Sequence, residues 1–170
     1  MRKIVFLQIT LGLMAASCEE KAEKSSPTSI NWQKRRVAYS IPDSLTRGST
    51  YLSIYSQIYS ESEHRLHDLT VTVSMRNTSR TDTLYIDKTD YYNTNGNNIR
   101  SYGGGSIYIA PMETVEIVIE QVDREGGTGG NFIFDWRTQP DENEPLFEAV
   151  MISTYSSQGL SFTTQGVRIE

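Results

Sequence analysis

Leu69, Val71, Val73 and Met75 alternate with Thr70, Thr72 and Ser74. A period of two sends successive side chains to opposite sides of an extended strand, whereas a helix would scatter them around its axis. The same pattern recurs where Val115, Ile117 and Ile119 alternate with Glu116 and Glu120. It recurs again where Phe132, Phe134 and Trp136 fall on one side of residues 131–137. One dry and one wet face per strand is the mark of an antiparallel sheet covered on one side. Further strands are expected at 36–41, 50–60, 83–92, 99–102, 106–110, 146–153 and 160–169, the last broken near Gly166. Turn signals separate most of them: Pro42-Asp43, Asn77-Thr78-Ser79-Arg80, Gly96 within 93–98, and Gly103-Gly104-Gly105. The polar stretch 61–69 is expected to hold at most one helical turn. No window past the N-terminal leader carries a helical stripe. The sum predicts an all-β domain: an antiparallel β-sandwich, immunoglobulin-like in general architecture, of about nine short strands. A small barrel is the alternative. The chain has 170 residues, room for one such domain and too few for a large barrel enzyme.

The N-terminus reads as an address. Arg2 and Lys3 precede an apolar run at 4–13, and Ala15, Ala16 and Ser17 are small enough for a signal peptidase. The run is too short to span a membrane as a helix. The stretch ending in Cys18 resembles a bacterial lipobox, with Ala15 where the pattern usually has leucine. The resemblance implies cleavage before Cys18 and acylation of the new N-terminus, and several acyl chains on one residue anchor stably. Residues 1–17 are thus expected to be a signal peptide, 18–33 an acylated start and flexible tether, and 34–170 a single folded domain. The location implied is the envelope of a Gram-negative bacterium, anchored to the outer membrane, facing either the periplasm or the outside.

The charge balance narrows the partners. There are 16 Lys and Arg against 21 Asp and Glu, a net charge of -5. Removing Arg2 and Lys3 with the leader makes the mature chain more acidic still. Such a surface repels phosphate backbones, so nucleic acid is excluded as an expected partner. Cys18 is the sole cysteine, which rules out an intramolecular disulfide and a cysteine-rich zinc site.

The constellations that might carry chemistry are incomplete. Gly126-Gly127-Thr128-Gly129-Gly130 lacks the Lys-Ser or Lys-Thr of a phosphate loop and lies between strands, not ahead of a helix. It is expected to be a flexible connection. His64 and His67 lie near Glu61, Glu63 and Asp68, but three-residue spacing in a strand sends the two rings to opposite faces. Asp141-Glu142-Asn143-Glu144 lacks the spacing of a calcium loop. No serine sits in a nucleophile elbow. No cofactor and no metal are expected, and no residue is assigned as catalytic. The ten tyrosines offer more. Tyr51, Tyr55 and Tyr59 share one face if their strand is unbroken, and aromatics on an exposed face can stack on sugars or anchor a protein. Trp136, in line with Phe132 and Phe134, is expected in the core.

Several stretches together resemble the DUF3124 family of small exported bacterial proteins of unknown function. They are residues 51–59, 69–78, 90–96, 129–136, 148–152 and 158–162, and the likeness covers residues 47–168. The resemblance supports one domain behind a leader and supplies no activity. If these stretches form a site, the candidates are Tyr55, Tyr59, Asn77, Asp90, Tyr91, Asn131 and Asp135. Asp90 and Asp135 are acids inside strand-like runs, where a buried charge needs a partner. Arg76 and Arg100 are the partners the sequence suggests.

The function expected is that of a non-enzymatic envelope lipoprotein, a protein-interaction or assembly module held at the membrane by its N-terminal lipid. The partner expected is an envelope protein or glycan. A glycan- or small-ligand-binding module and a hydrolase with an acidic site at Asp90 or Asp135 are the alternatives. The sequence does not specify an oligomeric state.

Overall fold

Two of the alternating segments, 69–75 and 131–137, become inner strands of two antiparallel sheets, and the third, 115–119, becomes an edge strand. The structure, a computed structural model, describes residues 30–154 and 159–170. The expected signal peptide, Cys18 and the first part of the expected tether lie outside the described residues. A short helix, α1 (Trp32–Arg35), is followed by β1 (Thr46–Ile54), β2 (Gln57–Ser60), β3 (Ser62–Asp68), β4 (Thr70–Arg76) and β5 (Leu84–Tyr92). Then come β6 (Asn98–Ser101), β7 (Ile107–Ile109), β8 (Thr114–Ile119), a 3-10 turn at Gly127–Gly129, β9 (Gly130–Thr138), β10 (Leu146–Ser153), β11 (Leu160–Gln165) and β12 (Val167–Arg168).

The larger sheet runs β12-β1-β9-β5-β6, with β7 sharing the outer edge of β5. The smaller runs β11-β10-β4-β8, and β2 pairs with β3 alone. Every pairing is antiparallel. The apolar positions predicted from alternation meet between the two sheets. Leu52 and Ile54 of β1, Phe132, Phe134 and Trp136 of β9, and Leu84, Ile86 and Tyr91 of β5 face Val71, Val73 and Met75 of β4, with β8 and β10 beside them, in one core cluster. A run of stacked rings crosses this core: Tyr91 on Phe132 at 4.8 Å, Phe132 by Phe134 at 5.5 Å, and Phe134 on Phe147 of the opposite sheet at 4.3 Å. Large rings removed from water on both sides are the main favourable term holding the sheets together.

Three expectations give way here. Residues 36–41 form no strand: Arg36 makes a lone bridge to Ile107, and Val37 N–H donates to Ser106 O at 2.9 Å. Pro42 lacks the N–H needed to continue a ladder, and the segment, together with Ile30 and α1 before it, lies as an N-terminal strap beside β7. The polar stretch 61–69 is strand, not helix, because β3 finds a partner in β2. Residues 50–60 do not make one strand, because the chain leaves the large sheet at Tyr55 and Ser56. A register shift in β5 between Ile86 and Lys88 is also invisible to simple alternation. It turns both Ile86 and Tyr91, an odd number of residues apart, toward the same core.

Candidate functional site

Beyond Ile54 the chain continues out of the large sheet, and beyond Leu69 it enters the small one. At this fork Ser56 N–H donates to Gly127 O at 3.1 Å and Leu69 N–H donates to Ser56 O at 2.8 Å. Past the fork β2 and β3 form an arm that pairs only with itself. Its turn is tight enough to force Glu61 to a φ of 61°. Tyr59 lies directly across from Leu66, and the two are 61% and 47% exposed. Ile58, on the other side of the arm, packs against the core. The base is held firmly. Arg124 pairs with Asp68 at 2.5 Å, Gln57 Nε2 donates to Asp68 Oδ1 at 2.8 Å, and His67 Nε2 lies 2.7 Å from Ser153 Oγ. Fixed at its root and solvated at its tip, the arm presents an apolar pair that nothing among the described residues covers.

The second candidate surface is the outer face of the large sheet. Asp90 is only 4% exposed although it points away from the core. Lys88 Nζ lies 2.8 Å from it, Ser101 Oγ donates at 2.7 Å, and Tyr92 hydroxyl donates at 3.4 Å. Burial pushes the Asp90 carboxyl up, but the hydrogen bonds from Lys88 and Ser101, with the Lys88 charge, outweigh it and hold the group below its ordinary range. The same pairing raises Lys88. Asp135 accepts from Ser49 Oγ at 2.8 Å, and Asn131 stands between Ser53 and Tyr92 on the neighbouring strands. Asp87 pairs with Arg137 at 2.5 Å. A hollow of about 320 Å³ lies beside Asp135, Asp87 and Gly48.

The seven candidates named from sequence therefore separate. Asp90, Asn131 and Asp135 share the outer face of the large sheet. Tyr59 is on the arm, while Tyr55 sits at the fork with its ring 5.7 Å from Phe162. Tyr51, Tyr55 and Tyr59 do not share a face, because the fork separates β1 from β2. Tyr91 is a core residue with no exposure, and burial raises its hydroxyl to about 12. Asn77 is a buried clamp. Its Nδ2 donates to Asp82 O, Ile109 O and Ala110 O, and its Oδ1 accepts from Ser79 N–H. It ties the turn after β4 to the end of β7.

The expected arginine partners are also reassigned. Arg76 pairs with Glu148 at 2.9 Å, and Arg100 binds Asp123 at 2.9 Å and Glu125 at 3.0 Å. Arg100 also donates to Tyr102 hydroxyl at 3.1 Å and lies over the Tyr91 ring at 5.8 Å. Sequence reasoning missed this network because Arg100 and Asp123 meet only through the fold. The Gly-rich loop is not a loose connection. Thr94 Oγ1 donates to Gly126 O at 3.0 Å and accepts from Gly129 N–H at 2.9 Å. His64 lies near Glu63 at 3.4 Å, apart from His67. Among the described residues no three His, Cys, Asp or Glu side chains gather as a metal site.

The sequence pattern of DUF3124, "Protein of unknown function (DUF3124)", matches residues 47–169. The chain belongs to the DUF3124 family. The matched region of this DUF3124 domain runs from the start of β1 to the end of β12 and takes in both sheets and the arm. No curated protein gives a match to the chain. A solved structure titled "Crystal Structure of Thermotoga maritima 1070" is similar at 8% identity and a TM-score of 0.42, over 71% of this chain and 94% of that one.

Proposed function

We propose that this DUF3124 protein is a non-enzymatic recognition module that binds another envelope protein through the β2–β3 arm. The observation that carries the reading is the Tyr59–Leu66 pair, two large apolar side chains opposed across a self-paired arm and both open to solvent. Exposed aromatic and aliphatic pairs on a rigid support are what protein interfaces use as anchors. The rooted base means that little order has to be gained on binding. The reading includes the address drawn from sequence: export, acylation at Cys18 and an outer-membrane anchor. It also takes the two packed sheets as an immunoglobulin-like sandwich, a scaffold that leaves its ends and faces free for partners.

The test compares complexes in gently solubilised envelopes for the native chain and for a Tyr59→Ser, Leu66→Ser double variant. A partner recovered with the native chain and lost with the folded variant supports the reading. Equal recovery with both removes the arm from it. Cys18→Ala with metabolic labelling by a fatty-acid analogue tests the anchor, and label persisting in that variant contradicts it.

A second reading rests on a different observation. Asp90 and Asp135, each held by neighbours, stand on one sheet face with Asn131, near the partly exposed Tyr51. Fixed acids and amides beside an aromatic ring suit a glycan. Saturable quenching of tyrosine fluorescence by an envelope oligosaccharide, lost in Asp135→Ala, supports it, and the absence of quenching counts against it.

A further inference from the structure

A second interaction surface lies at the far edge of the small sheet. β8 pairs with β4 on one side only. Asn77 N–H donates to Glu113 O at 3.0 Å, next to the register pair Arg76↔Thr114. In an antiparallel ladder that bond brackets a non-hydrogen-bonded pair, so the bonded pairs alternate from the next one onward. Val115, Ile117 and Ile119 therefore spend their N–H and C=O groups on β4. Thr114, Glu116 and Val118 direct theirs to the open edge. None of these three N–H groups meets an acceptor among the described residues.

The same three residues line a groove of about 590 Å³. Its other wall is the N-terminal strap, with Ile30, Lys34 and Arg35, and Tyr108 lies between. The strap is fastened and stands off from β8. Arg35 binds Glu113 at 2.6 Å, and Trp32 packs on the Tyr102 ring at 6.0 Å. With Arg35 committed and Arg36 turned to Gly104 O, Lys34 is the cation lining this wall of the groove that has no carboxylate partner among the described residues. On the opposite wall Glu116 accepts from Ser74 Oγ at 3.2 Å and meets no cation there.

The geometry points to β8 as a strand-addition site that takes an extended segment of a partner polypeptide into this groove. Edge strands left unpaired either are guarded or accept a strand. β8 has six residues, about 20 Å of ladder, and the groove gives the added strand depth that a bare edge lacks. The charges set its chemistry. The segment carries an acidic side chain toward Lys34 and a basic one toward Glu116. Charges at consecutive positions point to opposite faces of the added strand, so one is offered to each wall. This site is independent of the arm.

The probe is a synthetic six-residue peptide, the length of β8, alternating valine and threonine, with aspartate and lysine at its two central positions. It is titrated against the full chain while amide hydrogen exchange is followed. The expected result is saturable binding with slowed exchange at Thr114, Glu116 and Val118. A peptide N-methylated at alternate residues loses binding without touching the protein's fold. Val118→Pro removes an outward N–H and leaves the ladder to β4, and it weakens binding about tenfold or more. Lys34→Glu reverses the preference toward a peptide with lysine in place of the aspartate. Tyr59→Ser with Leu66→Ser leaves all of this unchanged. The proposal is overturned by the absence of saturable binding or by binding indifferent to both N-methylation and Lys34→Glu. It is also overturned if the three amides are protected without peptide in a concentration-dependent way, which would place a second copy of this chain on the edge.

Discussion

The Tyr91 hydroxyl lies 2.9 Å from Ser56 Oγ, and a side chain on Gly126 would place its first carbon 1.9 Å from that hydroxyl. One buried contact thus joins the core ring stack, the fork at which the arm leaves the sheet, and the Gly-rich loop. The glycine is there for close approach, with the Tyr91 hydroxyl as the nearer obstacle and Ser56 Oγ, at 2.5 Å, as the second.

Gly126→Ala is expected to destabilise the domain by about 1–3 kcal/mol through overpacking. Tyr91→Phe removes the obstructing oxygen. The double variant should therefore be more stable than the sum of the two single effects, a favourable coupling read from urea unfolding. Simple additivity would mean that the Tyr91 oxygen is not the limiting contact and that Ser56 Oγ is.

The Arg100 network predicts a contrast between two acids on one guanidinium. Asp123 is 1% exposed at its side chain, and Glu125 is 41% exposed. Asp123→Asn leaves a buried charge short of its partner and should cost about 3 kcal/mol. Glu125→Gln should cost less than about 1 kcal/mol, as for a solvated pair. Equal costs in chemical denaturation would contradict the burial argument.

Asp90 gives a pH dependence with a definite sign. Its folded pKa lies below the unfolded one, so the unfolded chain binds the proton more readily. The stabilisation is full above the ordinary aspartate range of about 4 and is lost as pH falls through the folded value. Asp90→Asn should flatten this part of the stability profile below about pH 4 and leave the neutral region parallel to the wild type. An unchanged acid limb would show that Asp90 is not held by Lys88 and Ser101 in solution.

Much of the sheet was legible because its strands obey a period of two. Phe132, Phe134 and Trp136 go inside, and Glu116 goes outside, as alternation requires. Even the break at Gly166 follows the sequence: a side chain there would press on Thr50 and Phe147. The same rule also separates the neighbours Asp90 and Tyr91, which point to opposite faces and cannot both belong to one surface site. What alternation cannot show is pairing. In the arm β2 carries the strand-forming Ile58 and Tyr59, β3 is polar apart from Leu66, and only pairing with β2 makes β3 strand. The shift at Asp87 inserts a residue whose effect appears only in the register with β9. Asn77 entered as a binding candidate through the family resemblance alone, and no pattern in the sequence shows that three carbonyls converge on its amide. The β8 groove depends on where the strap lies, and no pattern within β8 reports that.

The arm itself predicts a separation of stability from binding. Tyr59→Ser and Leu66→Ser should each change unfolding free energy by less than about 1 kcal/mol, since both side chains are already solvated. A larger loss would mean that the pair supports the fold.

The most direct measurement places a photo-reactive side chain at position 59 of the native chain in living cells, with position 39 as control. Tyr39 is 59% exposed, matching Tyr59 at 61%. A discrete protein adduct is expected at position 59, absent at position 39 and lost with Leu66→Ser. Identical patterns at both positions, or no adduct at 59, would contradict recognition through the arm.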